Sequence, residues 1–184
     1  MNKRSKQSIL KMADHLSYAT SKPTGGTRVA SVLDSRIKAE GSVSWVKLLS
    51  SLQALSLVHR VGHWTSKGPE SYSDHLLFER LYSAVEGEVD KVAEKALGMG
   101  LAPEQILPLT LSRTTSAFLR LDEVAQIGVV EAMQAELTFL SVLREVLGEV
   151  AALDEVSWKG ADNLLAGIMD KHEGHVYLLQ QRML

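Results

Sequence analysis

The stretch VGHWTSKGPESYSDHLLFERLYSAVEGEVDKVAEKALGMG, residues 61–100, decides the fold. It closes one apolar-periodic segment, breaks at Lys67-Gly68-Pro69, and resumes a helical pattern that stops at Gly98 and Gly100. Proline suits the first turn of a helix and glycine the position past its end. The second part therefore reads as one helix from near Pro69 to Leu97. Its apolar stripe is Leu76/Leu77, Leu81, Ala84/Val85, Val89, Val92/Ala93 and Leu97, the three-and-four spacing of an amphipathic helix. Gly87 sits inside it, at a cost of about 1 kcal/mol relative to alanine.

The same periodicity extends outward. SVSWVKLLSSLQALSLVHRVGHW (42–64) sets Trp45, Leu48, Leu49, Leu52, Leu55 and Val58 on one face. This predicts a helix ending near Ser66, with Ser42 or Ser44 as N-cap. LAPEQILPLTLSRTTSAF (101–118) holds two prolines and several Thr/Ser, and reads as a long connection with about one helical turn. A third helix is expected over about 121–150, through Leu121, Val124, Val129 or Val130, Met133, Leu137, Leu140, Leu143 or Leu147 and Val150. LDEVSWKG (153–160) breaks it, and a fourth runs over about 158–182 with Leu164/Leu165, Ile168, Tyr177 and Leu178 apolar. No period-two strand pattern is present. The reading is all-α: a four-helix bundle with one long crossover, which is ferritin-like connectivity.

The 184 residues suit one domain with a sizeable core. There is no cysteine, which excludes disulfides, thiolate chemistry and cysteine-ligated metal sites. No apolar run is long enough to span a membrane, and the basic start MNKRSKQSILKMADHL lacks the apolar core of a secretory signal. A cytoplasmic protein is expected. The net charge of −2 is uneven. Residues 1–40 hold eight Lys/Arg against three acids, +5, and the rest holds twelve against nineteen, −7. Residues 1–40 thus form a basic arm, partly irregular through SKPTGGT (21–27) with a short helix at 5–18, on a bundle of residues 41–184. Such an arm is suited to nucleic-acid contact, or is a solvated tail; Tyr18 is its one aromatic.

The chemistry lies on the second helix. At roughly 100° per residue, Glu79, Asp90 and Glu94 fall about 40°, 60° and 100° round from His75, all on one face. Along the axis, His75 and Asp90 are roughly 22 Å apart, whereas metal–ligand bonds are only about 2 Å. One chain cannot bring both halves of this stripe to one ion. Two copies crossing antiparallel about a two-fold axis can, and form two identical sites. His63, at the end of the preceding helix, adds a further imidazole. This mixture of imidazole and carboxylate suits iron and accepts zinc or manganese. The competing view is an ordinary solvated acidic face, since Glu86 and Glu88 lie among the same residues.

His63-Trp64, Gly68, His75, Glu79, Asp90-Lys91-Val92-Ala93-Glu94 and Leu97-Gly98 follow, without gaps, a family's pattern. That pattern is His-Trp, a glycine after three intervening residues, a second histidine twelve past the first, an acid four later, and Asp-x-x-Ala-Glu ending in Leu-Gly. In this the chain resembles the Dps family, the DNA-binding proteins from starved cells among the mini-ferritins. More loosely the likeness covers residues 42–184, including KGADNLLAGIMDKHEGHVYLL near the C-terminus. It implies a hollow dodecamer that oxidises Fe(II), usually with hydrogen peroxide, stores the ferric mineral, and protects against iron and peroxide damage under stress. The implied iron ligands are His63, His75 and Glu79 of one subunit with Asp90 and Glu94 of its two-fold partner, Trp64 standing beside them. Glu79 departs from the family's usual aspartate by one methylene. Some members bind DNA through such an N-terminal arm, which implies a nucleoid-associated protein where this occurs.

Other side chains carry less signal. His172, Glu173 and His175 form either a small metal cluster or, as the favoured reading, a surface or interface pair. His59, four residues before His63, supports a ligand or is simply packed. Asp154, Glu155 and Asp162 line a cation-attracting pore or match a helix dipole; His15 carries no signal. Two rival functions stay open. One is a structural or DNA-compacting assembly protein with little ferroxidase activity. The other is a ferritin-like protein with another metal or a site within one subunit.

Overall fold

The computed structural model describes residues 44–119, 127–153 and 155–184. The expected helix at 5–18, the loop at 21–27, the basic arm, Leu121, Val124 and Asp154 lie outside these residues. The described elements are α1 (Trp45–Thr65), α2 (Ser71–Gly98), a 3-10 turn (Pro103–Ile106), α3 (Pro108–Leu119), α4 (Val129–Ala151) and α5 (Glu155–Arg182). No strand occurs among the described residues, and no helix there is long and apolar enough to cross a membrane.

Cross-helix contacts fix the directions. Ser44 meets Glu149, Lys47 pairs with Glu145 and His59 meets Glu136, so α1 and α4 run antiparallel. Gly62 abuts Phe78 and Arg60 pairs with Glu86, so α1 and α2 are antiparallel too. It follows that α2 and α4 point the same way, and their connection has to travel the length of the bundle. On the remaining side, Arg182 Nε donates to Asp74 (2.7 Å) and His172 Nε2 to Glu88 (2.7 Å), setting α5 antiparallel to α2.

The connection is more helical than its composition suggests. Its Ser/Thr hydroxyls bond within their own helix, Thr114 to the Thr110 carbonyl (3.1 Å) and Ser116 to that of Ser112 (2.8 Å), a use open to these residues inside helices. Pro108 takes the first position, where its missing N–H costs nothing. α3 then packs on α1, with Thr115 Oγ1 donating to Gln53 (3.2 Å).

Ser44 occupies the expected N-cap position, but its N–H and Oγ reach across to the Glu149 carboxylate instead of capping α1 (2.6 and 3.0 Å). The α1–α2 corner turns at Gly68 with φ +87°, a conformation favouring glycine. Several residues expected on the apolar stripes, Leu76, Leu97, Leu137 and Tyr177, are exposed, while Phe78 is buried in their stead.

The core has two apolar parts. One gathers Leu48, Leu52, Val85, Val92, Phe139, Leu143 and Leu165, the other Val58, Phe78, Leu81, Ile127, Ala132 and Leu179. On α4 the junction falls at Glu136, between Ala132 and Phe139; on α5 it falls at His172 and His175, between Ile168 and Leu179.

Candidate metal centres

The Lys67–Pro69 turn folds α2 back so that residues twelve apart in sequence meet. His63 Nδ1–H donates to the His75 carbonyl (3.0 Å), and His75 Nδ1–H donates to the His63 carbonyl (2.9 Å). The rings stack with centroids 3.7 Å apart, and Tyr82 sets its ring edge-on to His63 at 5.4 Å. A carbonyl can only accept, so the hydrogen is fixed on Nδ1 of each ring. That leaves Nε2 of the neutral ring to bind a cation, the arrangement by which a backbone acceptor orients a metal-binding histidine. Glu79 is exposed one turn further along α2, and Trp64, Tyr72 and Leu76 expose apolar surface around it. Asp90 and Glu94 are exposed far down the same helix, Asp90 about 22 Å from His75 along the axis. One chain therefore joins His63 to His75, with Glu79 near them, and leaves Asp90 and Glu94 apart.

A second group lies inside the bundle. Glu136 of α4 accepts hydrogen bonds from three imidazoles: His172 Nδ1 at 2.6 Å, His59 Nε2 at 2.8 Å and His175 Nδ1 at 3.0 Å. His172 donates its other nitrogen to Glu88 of α2 at 2.7 Å, and Glu88 also accepts from Lys171 Nζ at 3.0 Å. His59, Glu88, Glu136, His172 and His175 are all buried. His59 Nδ1 has no hydrogen-bond partner among the described residues.

Burial alone would lower the His172 pKa, but its hydrogen bonds to Glu136 and Glu88 and their negative charge overcome this and raise it to about 9. Burial would raise Glu136, yet the bonds from His172, His175 and His59 hold it well below the carboxylate range. Glu88 is lowered likewise, by His172 and Lys171 against its burial. His59 is pushed down by burial, its bond to Glu136 opposing. At neutral pH the two carboxylates thus face a His172 imidazolium, and Lys171 hydrogen-bonds Glu88 from the surface.

Among known proteins, no family model matches the chain. A nutrient stress-induced DNA-binding protein of Synechococcus is 32% identical over 133 residues, 71% of this chain and 73% of that protein. The chain belongs to the Dps family. A DNA protection during starvation protein 2 of Bacillus anthracis is 29% identical over 120 residues, 64% of this chain and 79% of the relative. Among solved structures, the Dps protein of Vibrio cholerae superposes with TM-score 0.66 at 18% identity, covering 89% of this chain and all of that one (100%). The Thermosynechococcus elongatus Dps does so with TM-score 0.62 at 17% identity, covering 85% and 95%. These last two likenesses establish the ferritin-like fold.

Within this Dps chain, the C-terminal histidines differ from the sequence expectation. His172 and His175 are buried side chains facing Glu136, not the surface or interface pair that the sequence favours; Glu173 is exposed and takes no part. Burial decides this, because α5 turns the 172/175 face inward in register with Ile168 and Leu179. His59 also points into the bundle, where it bonds Glu136. Glu88 and Glu136 gave no alert among many acids. Their register did carry a signal: Glu88 is three past Val85 and four before Val92, and Glu136 is four past Ala132 and three before Phe139. An acid in phase with an apolar stripe is a buried acid in search of a partner.

Proposed function

We propose that this Dps protein is an iron-oxidising, iron-storing cage whose reaction site is completed by two subunits. The observation that carries this reading is the reciprocal His63–His75 lock, which presents two Nε2 atoms at an exposed corner. Glu79 of the same chain and Asp90 and Glu94 of a two-fold partner would complete the ligand set. The axial distance along α2 supports sharing, since no single chain can use both ends for one ion. The exposed Trp64, Tyr72 and Leu76 support a subunit contact there.

Fe(II) is the substrate. Histidine nitrogens and carboxylates hold it with positions left open. Each Fe(II) gives up one electron; hydrogen peroxide takes two, with two protons, and leaves as two waters. Dioxygen is the alternative acceptor. The carboxylates of Glu79, Asp90 and Glu94 favour the product, because their negative charge stabilises Fe(III) more than Fe(II). Ferric ion then passes to the interior as stored mineral. Trp64 beside the site is positioned to intercept oxidising equivalents.

Stopped-flow absorbance of Fe(II) mixed with peroxide tests the reaction. His63→Ala with His75→Ala should slow ferric formation strongly, and unchanged kinetics would overturn the assignment. An assembly of about 240 kDa, twelve times 20.2 kDa, is the expected size; a monomer would remove the shared site.

The relatives' names carry DNA binding and DNA protection. In this chain residues 1–40, at +5, suit that role, in a cytoplasmic, nucleoid-associated protein. Gel shifts across a salt series, with and without residues 1–40, should show salt-sensitive binding that the truncation abolishes. Binding without iron oxidation would instead favour a DNA-compacting assembly protein.

A further inference from the structure

The interior group plays no part in the proposed two-fold site. Glu136, His172 and His175 place one carboxylate oxygen and two ring nitrogens all within 4.8 Å of one another. A packing role explains them poorly. Taking two carboxylates and three imidazoles out of water carries a desolvation cost that apolar residues of similar volume avoid. Even so, His59 Nδ1 is left without a partner among the described residues.

The geometry favours an ion. Metal–nitrogen and metal–oxygen bonds of about 2.0–2.2 Å at angles of about 90–109° put ligand atoms roughly 3.0–3.4 Å apart. Glu136 now stands 2.6 Å from His172 Nδ1 through Oε2 and 3.0 Å from His175 Nδ1 through Oε1, so the carboxylate and both rings already converge on one point between α4 and α5. Dinuclear carboxylate sites in such bundles draw on four glutamates and two histidines. Here there are two carboxylates, and Glu88 is already tied to Lys171 and His172. That set is too poor in oxygen for a pair of ions and too rich in nitrogen for calcium or magnesium.

We propose that Glu136, His172 and His175 bind a single divalent transition-metal ion inside the bundle of each subunit, separate from the two-fold site. The ion takes the place of the hydrogens that the two Nδ1 atoms now direct at Glu136: His172 releases its Nδ1 proton to solvent and becomes neutral, and His175 carries its hydrogen on Nε2 instead of Nδ1. His172 keeps its Nε2–H on Glu88, the carboxylate–histidine–metal arrangement that fixes a ligating ring. His59 keeps its Nε2–H on Glu136 and holds the carboxylate in place. Both are positioning residues. A bound ion would tie α4 to α5 directly, and to α1 and α2 through His59 and Glu88.

The test uses the full chain carrying His63→Ala and His75→Ala, which removes the two-fold site, with Co2+ as probe. The assembled variant should retain one cobalt per chain after dialysis and show the visible absorption of a nitrogen-ligated, low-coordinate ion. Adding His175→Gln should weaken retention about tenfold or more, while Glu173→Gln, exposed on the same helix, should not. Failure to retain cobalt, or retention indifferent to His175→Gln, would overturn the proposal. Should His175→Gln not assemble, cobalt anomalous scattering from crystals of the double-alanine variant decides: a peak between Glu136, His172 and His175 supports the site, and an empty bundle refutes it. Iron oxidation at the two-fold site is untouched by either outcome.

Discussion

Replacing Glu136 by glutamine probes the interior network most sharply. The buried carboxylate accepts three imidazole hydrogen bonds. Hydrogen bonds to a charged group contribute about 1.5–3 kcal/mol each, and removing one partner of a buried ion pair costs about 3–5 kcal/mol. The amide of glutamine still accepts from one or two of the rings, so the lower bound is the better guide. The metal-free Glu136→Gln variant should lose about 3 kcal/mol, which for a chain of this size is roughly a 6–12 °C fall in Tm.

A second readout separates this network from ordinary packing. The His172 pKa is raised to about 9 from 6.5. Its stabilisation is therefore complete below about pH 6.5 and lost as pH rises through about 9, on the order of 3 kcal/mol in all. Glu88 and Glu136, both lowered, contribute stability that is present above their unfolded values and lost as pH falls through their folded ones. His59, also lowered, works against folding once pH drops below about 6.5, its unfolded value. Metal-free wild type should be most stable near pH 6.5 and weaken toward pH 10. Glu136→Gln takes away the first of the bonds that raise His172, so its alkaline decline should be shallower. Calorimetry at matched protein concentration from pH 5 to 10 reads both effects. A Tm within a degree or two of wild type, or an unchanged alkaline slope, would refute the reasoning.

Other substitutions test the helix packing. At Gly62 an added Cβ would lie 2.8 Å from the Phe78 ring, so Gly62→Ala should destabilise by about 1–3 kcal/mol through overpacking, read as a lower Tm. Gly87 has nothing among the described residues within 4 Å of an added Cβ, so Gly87→Ala should stabilise by about 0.5–1 kcal/mol; a loss instead would mean that this face is covered.

The architecture was legible because α1 and α2 carry long apolar stripes bounded by Ser44, Lys67-Gly68-Pro69 and Gly98. The crossover was legible as a length, but α3 was not. Thr and Ser in 110–116 read as loop residues, yet their hydroxyls bond helix carbonyls. Glu131 gives α4 its start by accepting from the Gly128 N–H at 2.9 Å, a local device that an apolar-period reading starting near 121 does not register. The surface stripe of metal-capable side chains was legible because 3.6-residue periodicity acts within one helix. The interior group draws on four helices, His59, Glu88, Glu136 and His172/His175. Only the packing of those helices brings it together.

The two-subunit site is tested most directly by mixing two inactive chains. One carries His63→Ala and His75→Ala, the other Asp90→Asn and Glu94→Gln; each alone should oxidise Fe(II) slowly. In a mixed two-fold pair, one site receives all the altered ligands and the other receives none. Random equal co-assembly makes about half of the pairs mixed, so about a quarter of all sites should be intact. Co-expressed hybrids, tagged differently and purified through both tags, should regain at least that fraction of the wild-type initial rate. Hybrids as slow as their parents would contradict a site built from both subunits.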